Sequence, residues 1–383
     1  MSNTPSPLTL DSHQLYLEIP QSPQVQEQLY STAGASMRAW INQLCLKAFL
    51  PWFREEIAPT ARIYPNTAAL PSFWEVVNGT AITFDRFRLV LIPTLAMDGD
   101  ELRVPQEWVD ILEWAADYYV AVYVNLDDGW IKIFGYTTHQ ILKTKGVYDV
   151  QDRTYSLESE DLIQDLNVLW VTRQMDEPEA LRAEIAPLPP ISKTQAENLL
   201  ERLGNPDVKF PRLAVPFSLW GALLVNGGWR QRLCDRRQGM SEQWSIPQWL
   251  QTGVANIAGQ LGWSQREFVA VPAGMRSAEP ILGLSRQLVI AGNTYELRIF
   301  PKGAPEDHIW RFELRNAVPG SQIPVGFKLR LLNEDLQPFE NNEDTAVTTV
   351  DLLYLEVILE PGEGLIWETE PTAEDYDQEI LQF

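Results

Sequence analysis

Cysteine and histidine are almost missing from this chain. Two cysteines and three histidines occur in 383 residues, so the side chains that most often build disulfide frameworks and metal centres are scarce. Cys45 and Cys234 lie far apart, the first in an apolar stretch and the second beside arginines, with no C-x-x-C pair. His13, His139 and His308 show no H-x-x-x-H spacing. The pattern argues against a classical zinc site, and the two thiols suit a reducing compartment.

Long apolar runs are missing too. No run approaches the 18 or so consecutive apolar residues that a spanning helix needs. The opening MSNTPSPLTLDSHQLYLEIP has neither a basic n-region nor an apolar h-region, so no signal peptide is expected and the chain is expected in the cytoplasm. Phosphate loops and nucleophile elbows lack their glycine scaffolds: no G-x-x-x-x-G-K-[ST], G-x-G-x-x-G or G-x-S-x-G occurs. Gly227 and Gly228 form a lone pair that reads as a helix end or turn. These absences leave no catalytic residue, metal or cofactor to assign.

Positive charge is in deficit. Lys and Arg number 30 against 52 Asp and Glu, a formal net charge of -22. Such a field repels the phosphate backbone, whose neutralisation by Lys and Arg supplies most nucleic-acid affinity. Direct binding to DNA, RNA or an anionic membrane is therefore not expected. A basic protein partner fits the charge, and so does solubility alone.

What remains is globular composition: 45% hydrophobic and 21% charged residues, with 14 Trp and 27 Pro. At this length two or three domains are expected. Loose alternation from Leu8 to Ile19 reads as one or two short strands. Ser22 and Pro23 then supply a helix start, and Leu29, Ala33, Met37, Trp40, Ile41, Leu44 and Ala48 recur at helical spacing. The reading is a helix over 24–49 that ends near Pro51. From 80 to 137 the period changes to that of strands. Tyr118 to Leu126 and Trp130 to Tyr136 flank Asp127-Asp128-Gly129, a hairpin signal.

The fold class expected is α+β. An α+β domain covers 1–149, an acidic, proline-rich connector 150–190, a helical middle region 191–282, and an antiparallel β-sandwich 283–383. The acidic C-terminal segment, ending in Ile380, Leu381 and Phe383, reads either as a last edge strand or as a docking tail for a partner.

One cluster stands out: Trp229, Arg230, Arg232, Arg236 and Arg237 within nine residues. Arg232 and Arg236 fall four apart, so a helix places them on one face. Four arginines in an acidic protein either grip a carboxylate or phosphate of a partner or ligand, or neutralise neighbouring acidic surface.

Several stretches resemble the cyanobacterial domain-of-unknown-function family 1822. Tyr30-Ser31-Thr32 to Leu46 is similar to its opening helix. Leu102-Arg103-Val104-Pro105-Gln106-Glu107-Trp108, Tyr119 to Leu126 and Ile133-Phe134-Gly135-Tyr136 resemble its core. The most specific likeness is Phe210-Pro211-Arg212-Leu213-Ala214-Val215-Pro216-Phe217 with Trp220 to Leu224, completed by Trp229-Arg230 and Asp235-Arg236-Arg237. Trp249-Leu250 and Gly262-Trp263 follow. The resemblance spans nearly the whole chain and implies a cytoplasmic cyanobacterial protein with no catalytic residue to carry over. Members tend to be encoded beside sigma-factor genes, which implies a regulatory partner.

The function expected is that of a non-enzymatic regulatory or interaction protein whose partner is a sigma factor. A sigma factor's DNA-binding surface is basic, and a field of this sign steers it. Two other readings stay open. One is an enzyme whose site assembles near Arg232 and Arg236, and the other is a scaffold that pairs through an edge strand of the sandwich. Oligomeric state is not legible.

Overall fold

The computed structural model describes residues 15–20, 30–96, 101–166, 168, 181–240, 244–269 and 280–383. The chain divides into two compact units. The first comprises Met1–Ile191, Asn198–Asn226 and Leu233–Gly239, and the second Ser192–Glu197, Gly227–Arg232 and Met240–Phe383.

The first unit begins with strand β1 (Leu15–Glu18), helix α1 (Ala33–Glu56), β2 (Arg62–Ile63), α2 (Leu70–Trp74), β3 (Thr80–Phe84) and β4 (Phe87–Thr94). It continues with β5 (Glu101–Pro105), α3 (Glu107–Asp110), β6 (Tyr118–Asn125), β7 (Trp130–Thr138), α4 (His139–Lys145), β8 (Val147–Asp149) and β9 (Thr154–Glu158). Six strands form one sheet in the order β1-β7-β6-β4-β3-β2, antiparallel throughout except where β4 runs parallel to β6. At that pair the strands are buried on both faces, so Leu89-Val90-Leu91-Ile92 and Tyr118-Tyr119-Val120-Ala121-Val122 are unbroken apolar runs. The hairpin at Asp127-Asp128-Gly129 forms as expected, with Gly129 at φ 71° and the Asn125 side chain accepting the Asp128 N–H at 2.9 Å.

Helix α1 differs from the expected 24–49. Thr32 caps it, its Oγ1 accepting the Ala35 N–H at 3.1 Å, and the helix runs on through Pro51 to Glu56. The helix start placed at Ser22 and Pro23 lies outside the described residues, as does the expected strand over 8–14. An internal proline costs a helix roughly 3 kcal/mol. Here Pro51 is exposed, while Phe49, Leu50 and Phe53 around it are buried. Their burial, about 1.5–3 kcal/mol for each side chain, outweighs the missing hydrogen bond.

A second, three-stranded sheet has the order β5-β9-β8. Its central strand β9 lies within the stretch read from sequence as a connector. A short strand or helix is also read from sequence over 162–173, and residues 167 and 169–173 of it lie outside the described residues.

The helices that follow are α5 (Lys193–Leu203), α6 (Phe217–Val225), α7 (Gly227–Arg237), α8 (Ile246–Thr252) and α9 (Asn256–Gln260). The apolar pattern over 246–261 is two helices because Gly253, at φ 95°, ends the first. Helices α5 and α7 give their first residues to the second unit and the rest to the first.

The second unit continues as strands: β10 (Trp263–Val269), β11 (Pro280–Ile290), β12 (Asn293–Lys302), β13 (Ile309–Asn316), β14 (Lys328–Asn333), β15 (Glu343–Thr345), β16 (Leu352–Ile358), β17 (Gly364–Glu370) and β18 (Leu381–Gln382). Two antiparallel sheets result, β10-β11-β12-β13-β16 and β15-β14-β17-β18. They share one core, in which Leu297, Ile299, Phe312 and Leu314 of the first sheet join Leu329, Leu331, Leu365 and Trp367 of the second. Trp244, Ile246, Trp249 and Trp263 belong to the same core. The α+β class, with helices in the middle and antiparallel sheets at the C-terminal end, is as expected. The C-terminal segment ends in an edge strand: β18 pairs with β17, and Ile380, Leu381 and Phe383 are buried.

Candidate functional site

Helix α7 carries the arginine cluster, and most of the cluster points inward. Trp229, Arg230 and Arg237 are buried, while Arg232 and Arg236 are half-buried. Within the second unit the Arg230 guanidinium pairs with Asp377, whose carboxyl is pushed above the usual carboxylate range by burial, against the pull of Arg230. Also in that unit, Arg232 Nη1 lies 3.5 Å from Glu334 Oε2. Within the first unit Arg237 donates to Glu75 Oε1 at 3.0 Å and to the carbonyls of Leu203, Asn205 and Val208. Arg236 stacks over Gly204 at the end of α5, where a Cβ would come within 2.9 Å of the Arg236 Cβ. Cys234 is buried beside them and Cys45 is buried in α1, and neither is in a disulfide. Burial pushes the Cys45 thiol up, so neither position reads as a reactive nucleophile by exposure.

Among the buried carboxylates of the first unit, Glu75 and Glu107 were missed by the sequence reading. Glu75, 2% exposed, accepts the Ser31 hydroxyl and the Ser31 backbone N–H as well as Arg237. Arg38 closes over the same residue by donating to the Glu75 carbonyl, and burial lowers its guanidinium to about 10. Glu107 has no exposure at all. It takes Arg212 in a bidentate grip, Nε at 2.9 Å and Nη2 at 2.7 Å, and also accepts the Trp220 indole N–H at 2.8 Å. Burial pulls the Arg212 guanidinium down and Glu107 more than restores it. Glu107, Arg212 and Trp220 all lie in the stretches that carry the family resemblance, but no local spacing says that they meet. The Glu75 and Glu107 carboxylates are both held by side chains from other parts of the same unit, which is the geometry of a structural clamp.

Two cavities flank these elements. One, of about 330 Å³ in the first unit, is lined by Asn78, Thr94, Glu101, Arg103 and Phe134 among others. Its cation, Arg103, is held by Glu101 at 2.8 Å and Asp152 at 2.9 Å.

The other cavity, of about 340 Å³, lies in the second unit at one end of the sandwich. The end of β14 and the turn after it supply Glu334, Asp335 and Phe339, the end of β16 supplies Ile358 and Leu359, and the start of β17 supplies Glu363 and Leu365. Glu334 lies at its base, its side chain 3% exposed, paired with Lys193 Nζ at 3.0 Å and with Arg232. Gly364 is needed there, because a Cβ at that position would collide with the Glu334 carboxylate. Asp335 accepts the Lys193 backbone N–H, and Glu363 accepts the Glu360 N–H at 2.8 Å. Of the cluster, then, Arg232 alone reaches a cavity described here, through Glu334. Among the described residues no group of His, Cys, Asp and Glu could hold a metal ion, and no helix is long and apolar enough to cross a membrane.

The fold and these sites define an α+β protein in which Arg212, Arg230 and Arg237 are bound into buried or half-buried carboxylate pairs. The chain belongs to the family described as protein of unknown function, DUF1822, whose model matches residues 17–382. No curated protein and no solved structure matches it.

Proposed function

We propose that this chain is a non-enzymatic regulatory protein that binds a basic protein partner, a sigma factor in transcription control, in the cytoplasm of a cyanobacterium. The observation that carries the reading is the direction of the arginines on α7. The densest stretch of positive charge in a chain of net charge -22 pairs with Glu75, Asp377 and Glu334. Acidic surface is left without that local counterweight, and such a surface accelerates encounter with a basic one.

The test is co-purification of the tagged chain from its own host, followed by reconstitution with each purified candidate. The expected partner has a basic surface, and its association rate falls steeply as salt is added. Partners that are acidic, or whose association ignores salt, overturn the reading. The scaffold reading is favoured by a separate feature: β10, seven residues long, stands at the edge of the five-stranded sheet. The enzyme reading near Arg232 and Arg236 gains no support from Arg232, whose guanidinium is taken up by Glu334.

A further inference from the structure

The cavity at the end of the sandwich has a polarity of its own. Its base holds one carboxylate, Glu334, between two cations, Lys193 and Arg232. Its wall is apolar: Leu359 and Leu365 are buried, Phe339 is half-buried, and Ile358 stands at the lip, 69% exposed. Its mouth is acidic. Among the described residues neither Asp335 nor Glu363 has a cationic side chain within ion-pairing distance, and the hydrogen bonds each accepts come from backbone N–H groups.

A carboxylate that accepts one or two hydrogen bonds keeps capacity for more. The guest that satisfies both wall and mouth is amphipathic at the scale of one side chain. Arginine and lysine lay their methylene stems on apolar surface and keep the charged head at the edge, and a planar guanidinium also stacks on an aromatic face. A volume of about 340 Å³ holds one such side chain with an apolar neighbour. Acetate-like or phosphate-bearing guests meet the wrong charge at the mouth.

We infer that this cavity receives an arginine, with an adjacent apolar residue, from an extended segment of the basic partner protein. The arginine stem lies against Phe339, its guanidinium spans Asp335 and Glu363, and the apolar neighbour covers Ile358. This rests on the reading of the chain as a binder of a basic protein and adds where and by what side chain the partner is held. The buried pair of Arg232 with Glu334 keeps the base of the cavity shaped rather than touching the guest.

The experiment uses the full chain and a fluorescein-labelled nonapeptide, Ser-Gly-Leu-Arg-Leu-Arg-Leu-Gly-Ser, read by polarisation. Three variants are compared with the parent: Asp335→Asn with Glu363→Gln, Phe339→Ala, and a control that removes the same charge elsewhere, Asp127→Asn with Asp128→Asn in the exposed hairpin. The mouth variant weakens binding roughly tenfold and the control less than about twofold, since one desolvated charge contact is worth about a factor of ten. Phe339→Ala weakens it comparably, and so does replacing the peptide's leucines with glycine. Melting curves accompany each variant, and the mouth variant, altered at a half-exposed and an exposed position, keeps the parent's transition. Equal weakening by the mouth and control variants overturns the cavity as the site and leaves the interaction reading in place, because the peptide then senses the whole field. Failure of the peptide to bind the parent also overturns the cavity, while the reconstituted partner decides the broader reading separately.

Discussion

A buried carboxylate is worth most when it is considered together with what would be left behind without it. Glu107 is fully enclosed and holds Arg212 by two hydrogen bonds and Trp220 by a third. Glu107→Gln keeps an acceptor for the indole but leaves the Arg212 charge without its partner, in a place with little water. A loss of about 3–5 kcal/mol is expected, because removing one member of a buried pair strands the other. Urea unfolding of the variant measures it, and a change below about 1 kcal/mol, the range of an exposed pair, would show that water reaches the site. His139 is the second informative residue. Its Nδ1 accepts the Ala183 N–H at 3.0 Å and its Nε2 faces the Val109 carbonyl at 2.9 Å, an arrangement that requires the neutral ring with its proton on Nε2. Burial lowers its pKa below the ordinary 6.5, against the pull of the Val109 carbonyl. The unfolded chain then takes up the proton first as pH falls. The stability that His139 contributes is complete above about pH 6.5 and is lost below it, with a limiting slope of about 1.4 kcal/mol per pH unit. Unfolding free energies from pH 8 to pH 5 should therefore slope more steeply for the parent than for His139→Gln, and equal slopes would contradict the neutral assignment. Neither residue was legible as a site. Glu107 sits in a stretch picked out by resemblance, but its partner is 105 positions away, and His139 reads from sequence as one more isolated histidine.

At the scale of elements, the sequence speaks where turn chemistry or alternation is local. The hairpin at Asp127-Asp128-Gly129 and the strands β11, β12, β13, β14, β16 and β17 were legible as short apolar runs between turn signals. Strand β10 was not. Its run Trp263-Ser264-Gln265-Arg266-Glu267-Phe268-Val269 carries charge in the middle, as edge strands do, and falls in the stretch 191–282 read from sequence as a helical middle region. Helix α1 runs past its expected end because an internal proline imitates a stop. The C-terminal segment was left between edge strand and docking tail, and its contacts are those of a core element. Glu379 pairs with buried Arg286 and accepts the Trp263 indole N–H at 2.9 Å, while Phe383 meets Trp310 at 4.9 Å and Phe312 at 6.0 Å between ring centres. Deleting Glu379 to Phe383 strands the Arg286 charge and opens an aromatic cavity, losses of about 3–5 kcal/mol each. Together these approach the whole stability of an ordinary domain. The shortened chain should lose the cooperative melt of its second unit, and an unchanged melting temperature would restore the docking-tail reading.

At the scale of the whole molecule, charge is the most legible property and composition alone sets it. Twenty-two more acids than bases are the difference between 52 and 30, and folding decides where the bases go. Arg230 and Arg237, which the sequence offers as half of a basic cluster, are buried against Asp377 and Glu75. A helix built from a run of arginines therefore adds little positive surface, although the residue string suggests a binding strip for phosphates. The consequence can be measured without knowing the partner. A labelled DNA duplex or single-stranded RNA at about 150 mM salt, where fields between exposed charges reach only about 8 Å, should give no saturable binding to the full chain. Nucleic-acid affinity rises as counterions are released by Lys and Arg on phosphates, and a surface that repels those phosphates releases none. Lowering the salt should not rescue binding, because weaker screening lengthens the repulsion as well as any attraction. Binding that strengthens steeply as salt falls would overturn this, since it would require several cations aligned on one face. A basic protein should behave oppositely, associating faster as salt is removed, so one salt series run on both kinds of partner separates the acidic field from any groove hidden within it.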